Sequence, residues 1–224
     1  MTKLLRFITE KQITYVEPSL DFIYDIETYP NFFSCVMDRV SDDARWVIEI
    51  SDRRDDSDDF FKLLEWLQSI NARMVGFNNL GFDYPVIHHM MLNFTSALGP
   101  AIPYHKAQEI IDTPWEDRFS NVIWVDNEFV KQLDLYKIHH FDNLARSTSL
   151  KMLEFNMRSR SIQDLPYAPG THLTDEQKDV VLFYNAHDVD ETKKFYHLSK
   201  PMIDFRDELS LRYGRDFTNH NDTK

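Results

Sequence analysis

The chain has 224 residues, 42% of them hydrophobic and with 17 Phe, 10 Tyr and 4 Trp, which suits one globular domain with a substantial core. Its 25 Lys and Arg face 37 Asp and Glu, a formal net charge of −12, so it lacks the basic balance of a protein that grips nucleic acid unaided. The single cysteine, Cys35, excludes an internal disulfide and fits a reducing cytoplasm; no apolar run nears the roughly 18 residues of a membrane span, and the N-terminus lacks a continuous signal-peptide core.

In chain order, residues 20–27, 32–39 and 44–51 read as three successive strands joined by short turns. The first, Asp21-Phe22-Ile23-Tyr24-Asp25-Ile26-Glu27, alternates and is rich in β-formers. Side chains two apart on a strand share a face, so Asp25 and Glu27 converge. Two such carboxylates repel unless a cation lies between them, and hard oxygen donors favour Mg²⁺ or Mn²⁺ over zinc. A solvated edge strand with outward acids is the plainer alternative. The acidic run Ser51 to Asp59 leads into a helix over 58–70, with Phe60, Leu63, Leu64, Leu67 and Ile70 on one side.

Arg73-Met74-Val75-Gly76-Phe77 is a short apolar run suited to a buried strand, 73–77. Asn78-Asn79-Leu80-Gly81-Phe82-Asp83 follows, and Asp83-Tyr84-Pro85 reads as a helix start with proline in the first turn. Asp83 then sits at a strand-to-helix junction, as a ligand or as a plain N-cap. Asn78 supplies an amide at a strand end, a common position for contact with a substrate backbone. Residues 99–130, with Pro100, Pro103 and Pro114, read as irregular, a hairpin or a substrate-facing insertion. Lys131 to Tyr136 is the next strand and carries Asp134, whose plainer reading is a buried hydrogen-bonded carboxylate. Two short helical stretches are expected within 142–173. Arg146, Lys151, Arg158 and Arg160 make this the most basic part of the chain, a candidate single-strand contact or a solvated face.

The third motif is Tyr184-Asn185-Ala186-His187-Asp188. Thr174 and Gln177 form a capping box, so a helix is expected from about 175 to near Leu198, stopped by Pro201. Tyr184 and Asp188 are four apart and stack on one face. Asp190 points roughly 200° away and reads as solvated; His187 reads as packing or surface. A further amphipathic helix is expected over 202–212. Asp25, Glu27, Asp83 and Asp188 together supply enough oxygen donors for two divalent ions beside a phosphodiester.

With these three motifs in this order, the chain resembles the 3′→5′ proofreading exonuclease domains of DNA polymerases, the DEDD group of the RNase H-like superfamily. The N-x-x-x-F-D form of the second motif is closest to family B, including bacteriophage replicative polymerases, and Tyr184 four before Asp188 marks the tyrosine subtype. The histidine subtype places His five before the last Asp, where this chain has Phe183. The resemblance covers most of residues 20–200. It implies an α/β fold, an RNase H-like mixed five-stranded sheet flanked by helices, with an exonuclease domain over 1–200 and a C-terminal helix and polar tail over 201–224, a possible junction to a polymerase domain. It also implies two Mg²⁺ or Mn²⁺ ions held by Asp25, Glu27, Asp83 and Asp188, with Tyr184 positioning the attacking water and Asp134 as a supporting acid that is not a primary ligand. Asn78, Phe82, Tyr29, Arg158 and Arg160 become candidate contacts to a single-stranded DNA 3′ end, Phe82 and Tyr29 by stacking. The expected partner is a polymerase domain in cis or in trans, and the expected compartment is the cytoplasm, that of the host if the chain is viral. The alternatives are a stand-alone RNA or oligonucleotide exonuclease and a non-catalytic structural module of a replication assembly.

Overall fold

Alternation along one strand organises the whole molecule. In the computed structural model, which describes residues 20–117, 119–143, 146–159 and 162–220, β1 (Asp21–Tyr29) sits at the centre of the sheet. Its even-numbered side chains Phe22, Tyr24 and Ile26 enter one core, whereas Ile23 enters another. β2 (Phe32–Arg39) pairs antiparallel with β1, Glu27 opposite Ser34 and Asp25 opposite Val36. β3 (Arg45–Ser51) continues antiparallel beyond it. On the other side β4 (Arg73–Gly76) and then β5 (Lys131–Asp134) add in parallel. The result is a five-stranded mixed sheet in the order β3-β2-β1-β4-β5, flanked by helices, consistent with an RNase H-like fold.

The first core joins the even face of β1 to α1 (Ser57–Ser69), α2 (Asp83–Asn93) and α3 (Ala101–Asp112) through Phe33, Phe60, Leu64, Leu67, Val86, Ile87, Met90 and Ala107. Cys35 is buried there, as expected for an inert core thiol. Each fully buried side chain of this size contributes about 1.5–3 kcal/mol. The opposite face packs Ile23, Val36, Val75 and Leu133 against α4 (Leu135–Ile138), α5 (Leu150–Asn156) and α6 (Asp175–Tyr213), which bring Ile138, Leu153, Val189 and Ile203.

Three expectations are corrected. Residues 99–130 are not wholly irregular: they contain α3, which tolerates Pro103 because its first-turn N–H has no intrahelical partner to lose. The strand over 131–136 ends at Asp134, whose carboxylate accepts the Tyr136 N–H and starts α4. Pro201 does not stop the last helix. α6 runs unbroken to Tyr213 and ends at Gly214 in the left-handed region, φ 64°, so residue 200 falls inside one helix. The cost of a proline inside a helix, about 3 kcal/mol, is offset by anchors beyond it. Ile203 is buried, Arg206 donates to the Ile138 carbonyl at 3.3 Å and the His220 carbonyl at 2.9 Å, and Asp207 accepts from Arg73 at 2.7 Å. Arg73, itself in the sheet, also grips Asp21 with two bonds of 2.7 and 2.9 Å, and Tyr196 donates to the same carboxylate at 2.5 Å.

Candidate active site

The capping box predicted at Thr174 and Gln177 is present and sets the start of α6. The helix then lies along the odd face of β1. Tyr196 meets Asp21 near its lower end, Val189 shares a core with Ile23, and Val181 shares a small core with Tyr29, Phe32 and Leu173. Between those two apolar groups the seam is polar, and that gap holds Asp25, Glu27 and Asp188. Their carboxylate oxygens lie within 4.8 Å of one another. Two strand positions and one helix position thus converge, as i, i+2 spacing on β1 requires.

Asn185 fixes the arrangement. Its side chain is fully buried, donates to Asp25 Oδ2 at 2.6 Å and accepts from Ser34 Oγ at 3.1 Å. Neither Asn185 nor Ser34 was expected here. The signal was available for one of them: Asn185 is three residues before Asp188 and therefore shares its helix face.

Asp83 stands beside the trio. β4 ends at Gly76, so the upper half of β1 has no parallel neighbour, and Asp83 Oδ1 accepts the Ile26 N–H at 3.3 Å. It is the first residue of α2 and buried. Its oxygens do not join the 4.8 Å group, but its charge bears on both Asp25 and Glu27. Gly76 permits the close turn that delivers it, since a Cβ there would lie 2.7 Å from the Asn79 Cβ.

The electrostatics are those of crowded, desolvated acids. Burial, then the neighbouring charges of Asp83, Asp188 and Glu27, pushes the Asp25 pKa well above the carboxylate range, against the bond from Asn185. Burial followed by Asp188 and Asp83 does the same to Glu27. Burial raises Asp83 to about 7 against the backbone bonds it accepts. It also raises Asp188 to about 7, opposed by the Tyr184 hydroxyl that donates to it. Burial and the same carboxylates lift the Tyr184 phenol above its ordinary value, so it stays protonated. Crowded acids of this kind, each offering a carboxylate oxygen to the same gap, could hold a metal ion.

The remaining candidates divide. Asn78 is exposed, with φ 61°, and its backbone N–H donates to Asp134 Oδ1 at 2.8 Å. Asp134 also accepts from Leu80 and Tyr136, so it is a buried hydrogen-bonded carboxylate that shapes the 77–82 loop. Phe82 is half-buried against the first core. Tyr29 cannot offer its ring to a base: it is 1% exposed, sealed by Val181 and Leu173, and its hydroxyl donates to the Tyr167 carbonyl at 3.1 Å. Arg158 is exposed just beyond α5, and Arg160 lies outside the described residues. Asp190 is turned away as expected but is not simply solvated, because Arg45 donates to it at 2.5 Å. His187 is packed against α5, 3.6 Å from Glu154. Glu154, His187 and Asp188 form a second group with ligand atoms within 4.8 Å of one another.

No helix among the described residues is long and apolar enough to cross a membrane. A scan against protein-family models finds no match, and a search of curated proteins finds none. Among solved structures the chain is similar in fold to the family B DNA polymerase from the hyperthermophilic archaeon Pyrobaculum calidifontis, at 15% identity and a TM-score of 0.50. The match covers 84% of this chain but only 25% of the polymerase, so the chain spans a quarter of its structural neighbour's length.

Proposed function

We propose that this chain is a divalent-metal-dependent 3′→5′ exonuclease that removes nucleoside monophosphates from the 3′ end of single-stranded DNA, as the proofreading part of a replication machinery. The observation that carries the reading is the convergence of Asp25, Glu27 and Asp188 within 4.8 Å in a polar gap between two apolar groups. The fold shared with part of a family B DNA polymerase supports it. The three motifs add the DEDD pattern in its tyrosine form. The −12 charge fits delivery of the strand by a polymerase domain, and the lone, buried Cys35 fits the cytoplasm, that of an infected cell if the chain is viral.

Asp25, Glu27 and Asp188 would hold one Mg²⁺ or Mn²⁺, and Asp25 with Asp83 a second. Such a pair supplies an activated water and neutralises charge on the phosphate and the leaving oxygen. The chain's own residues do the positioning. Asn185 fixes the Asp25 rotamer, and the Tyr184 hydroxyl orients Asp188 and the space beside it. Tyr184 keeps its proton, so it serves as a donor and not as a base. Water adds to phosphorus, the P–O3′ bond breaks, the released 3′ oxygen takes up a proton, and a 5′-monophosphate leaves. Frayed or single-stranded ends are favoured, because a terminal nucleotide has to reach carboxylates partly buried between β1 and α6.

Single-stranded DNA and RNA of one sequence, both 5′-labelled, test this with Mg²⁺. A ladder of shortened, labelled DNA products is expected, with RNA cut more slowly. Immediate release of labelled mononucleotide would reverse the polarity, and faster RNA cleavage would move the substrate to oligoribonucleotides. Tyr184→Phe should slow DNA cleavage by roughly one to three orders of magnitude, the scale of a lost positioning donor, with Mg²⁺ affinity retained. A variant as fast as wild type would remove Tyr184 from the mechanism.

A further inference from the structure

Among the described residues, buried acids are hydrogen-bonded almost throughout. Asp21 is held by Arg73 and Tyr196, Asp38 by Arg45 and Lys193, Glu49 by Arg53 and Ser51, Glu191 by Lys194 and Ser159, and Asp134 by backbone N–H groups. Glu154 is the exception. It is 2% exposed, and its Oε2 has no hydrogen-bond partner. His187 Nε2 is buried and equally without a hydrogen-bond partner. The two atoms are 3.6 Å apart, beyond the range of an N–H···O bond. A buried carboxylate oxygen with no donor is costly and is retained where something else satisfies it.

The placement adds to this. α5 is seven residues long and buries only Leu153 and Glu154. Leu153 docks the helix in the core that contains Val189. Glu154 therefore reaches α6 beside His187 and Asp188, and the three present ligand atoms within 4.8 Å of one another. The donor set is one imidazole nitrogen and two carboxylates. It differs in kind from the all-oxygen group of Asp25, Glu27 and Asp188, because imidazole favours Zn²⁺-like cations over Mg²⁺.

We propose that Glu154, His187 and Asp188 form a second cation site, selective for a transition metal of the Zn²⁺ or Co²⁺ type, which shares Asp188 with the oxygen-only group. The site holds whether or not the chain cuts DNA, since it rests on the buried Glu154 and His187 atoms that lack hydrogen bonds and not on the reaction. The shared ligand couples the two positions: an ion held by His187 and Glu154 fixes the Asp188 carboxylate that the first group also needs.

The test uses the full chain with Co²⁺ as probe, read by visible absorption and by bound-metal stoichiometry. Wild type is expected to bind one more Co²⁺ than His187→Gln, with an absorption band that the variant loses. Glu154→Gln should weaken this Co²⁺ by at least about tenfold. Circular dichroism checks that both variants are folded. Asp25→Ala is expected to keep the His187-dependent band, and His187→Gln to keep stabilisation by Mg²⁺, so failure of this site and failure of the nuclease reading are separable. Equal Co²⁺ stoichiometry and spectra in wild type and His187→Gln would overturn the proposal and leave Glu154 and His187 as an ion pair only.

Discussion

Asp25→Ala is expected to abolish DNA cleavage, by on the order of 10³-fold or more, the scale of losing a central electrostatic group. Asp25 is the carboxylate common to the two Mg²⁺ positions proposed for the reaction. Its carboxylate converges with those of Glu27 and Asp188, and it also feels the charge of Asp83. The same variant should not unfold the protein. Burial and three neighbouring acids hold the Asp25 pKa high, so the charged form opposes folding, and removing it relieves repulsion. The metal-free variant is therefore expected to melt at or above the wild-type temperature near pH 8 while being inactive. Asp190→Ala is the control on the same helix: it loses an exposed pair with Arg45 and should leave cleavage within about twofold. An active Asp25→Ala protein would contradict the mechanism, and an inactive but unfolded one would contradict the electrostatics.

Much of this was legible because it depends on short-range periodicity. The i, i+2 placement of Asp25 and Glu27 needs only a strand, and the face shared by Tyr184 and Asp188 needs only a capped helix. Asp83 at the head of α2 follows from the apolar strand run 73–77 and from Pro85 in the first helical turn. What was not legible depends on which surfaces meet. Tyr29 shares a strand face with Asp25 and Glu27, but only the packing of Val181 and Leu173 reveals that this end of the face is closed. α3 was hidden by prolines that sit at its cap and first turn, where they do no harm. Pro201 reads as a stop until the contacts of Arg206 and Asp207 with distant parts of the chain are known. Asn185 shares the Asp188 helix face in the sequence, but its role depends on a partner, Asp25, 160 residues away. Glu154 and His187, 33 residues apart, meet only when α5 docks on α6.

The metal-free protein is expected to lose stability as pH rises from about 5 to 8. Asp83 and Asp188 are raised to about 7, Glu128 to about 7 and Asp134 to about 6, in each case by burial first. Asp25 and Glu27 are raised as well. In the unfolded chain such groups ionise near pH 4. Between the two values the folded state keeps protons that the unfolded state has released, so stability is complete below the unfolded pKa and falls as pH climbs through the folded one. One group displaced by about three units accounts for up to about 4 kcal/mol. His88 and His89, whose pKa values burial lowers, act in the opposite sense, but both rings are partly exposed and their effect is smaller. A divalent cation held by the site carboxylates should reverse most of the loss, because it favours their charged forms and binds only the folded state.

Thermal melting at pH 8 with and without Mg²⁺, for wild type and Asp25→Ala side by side, is the most direct test that these carboxylates converge to hold metal. At Mg²⁺ about a hundredfold above its Kd, binding adds about 2.7 kcal/mol, or about 5–10 °C for a chain of this size. That rise is expected in wild type and absent in Asp25→Ala. Superimposable wild-type melts with and without Mg²⁺ at millimolar levels would contradict it.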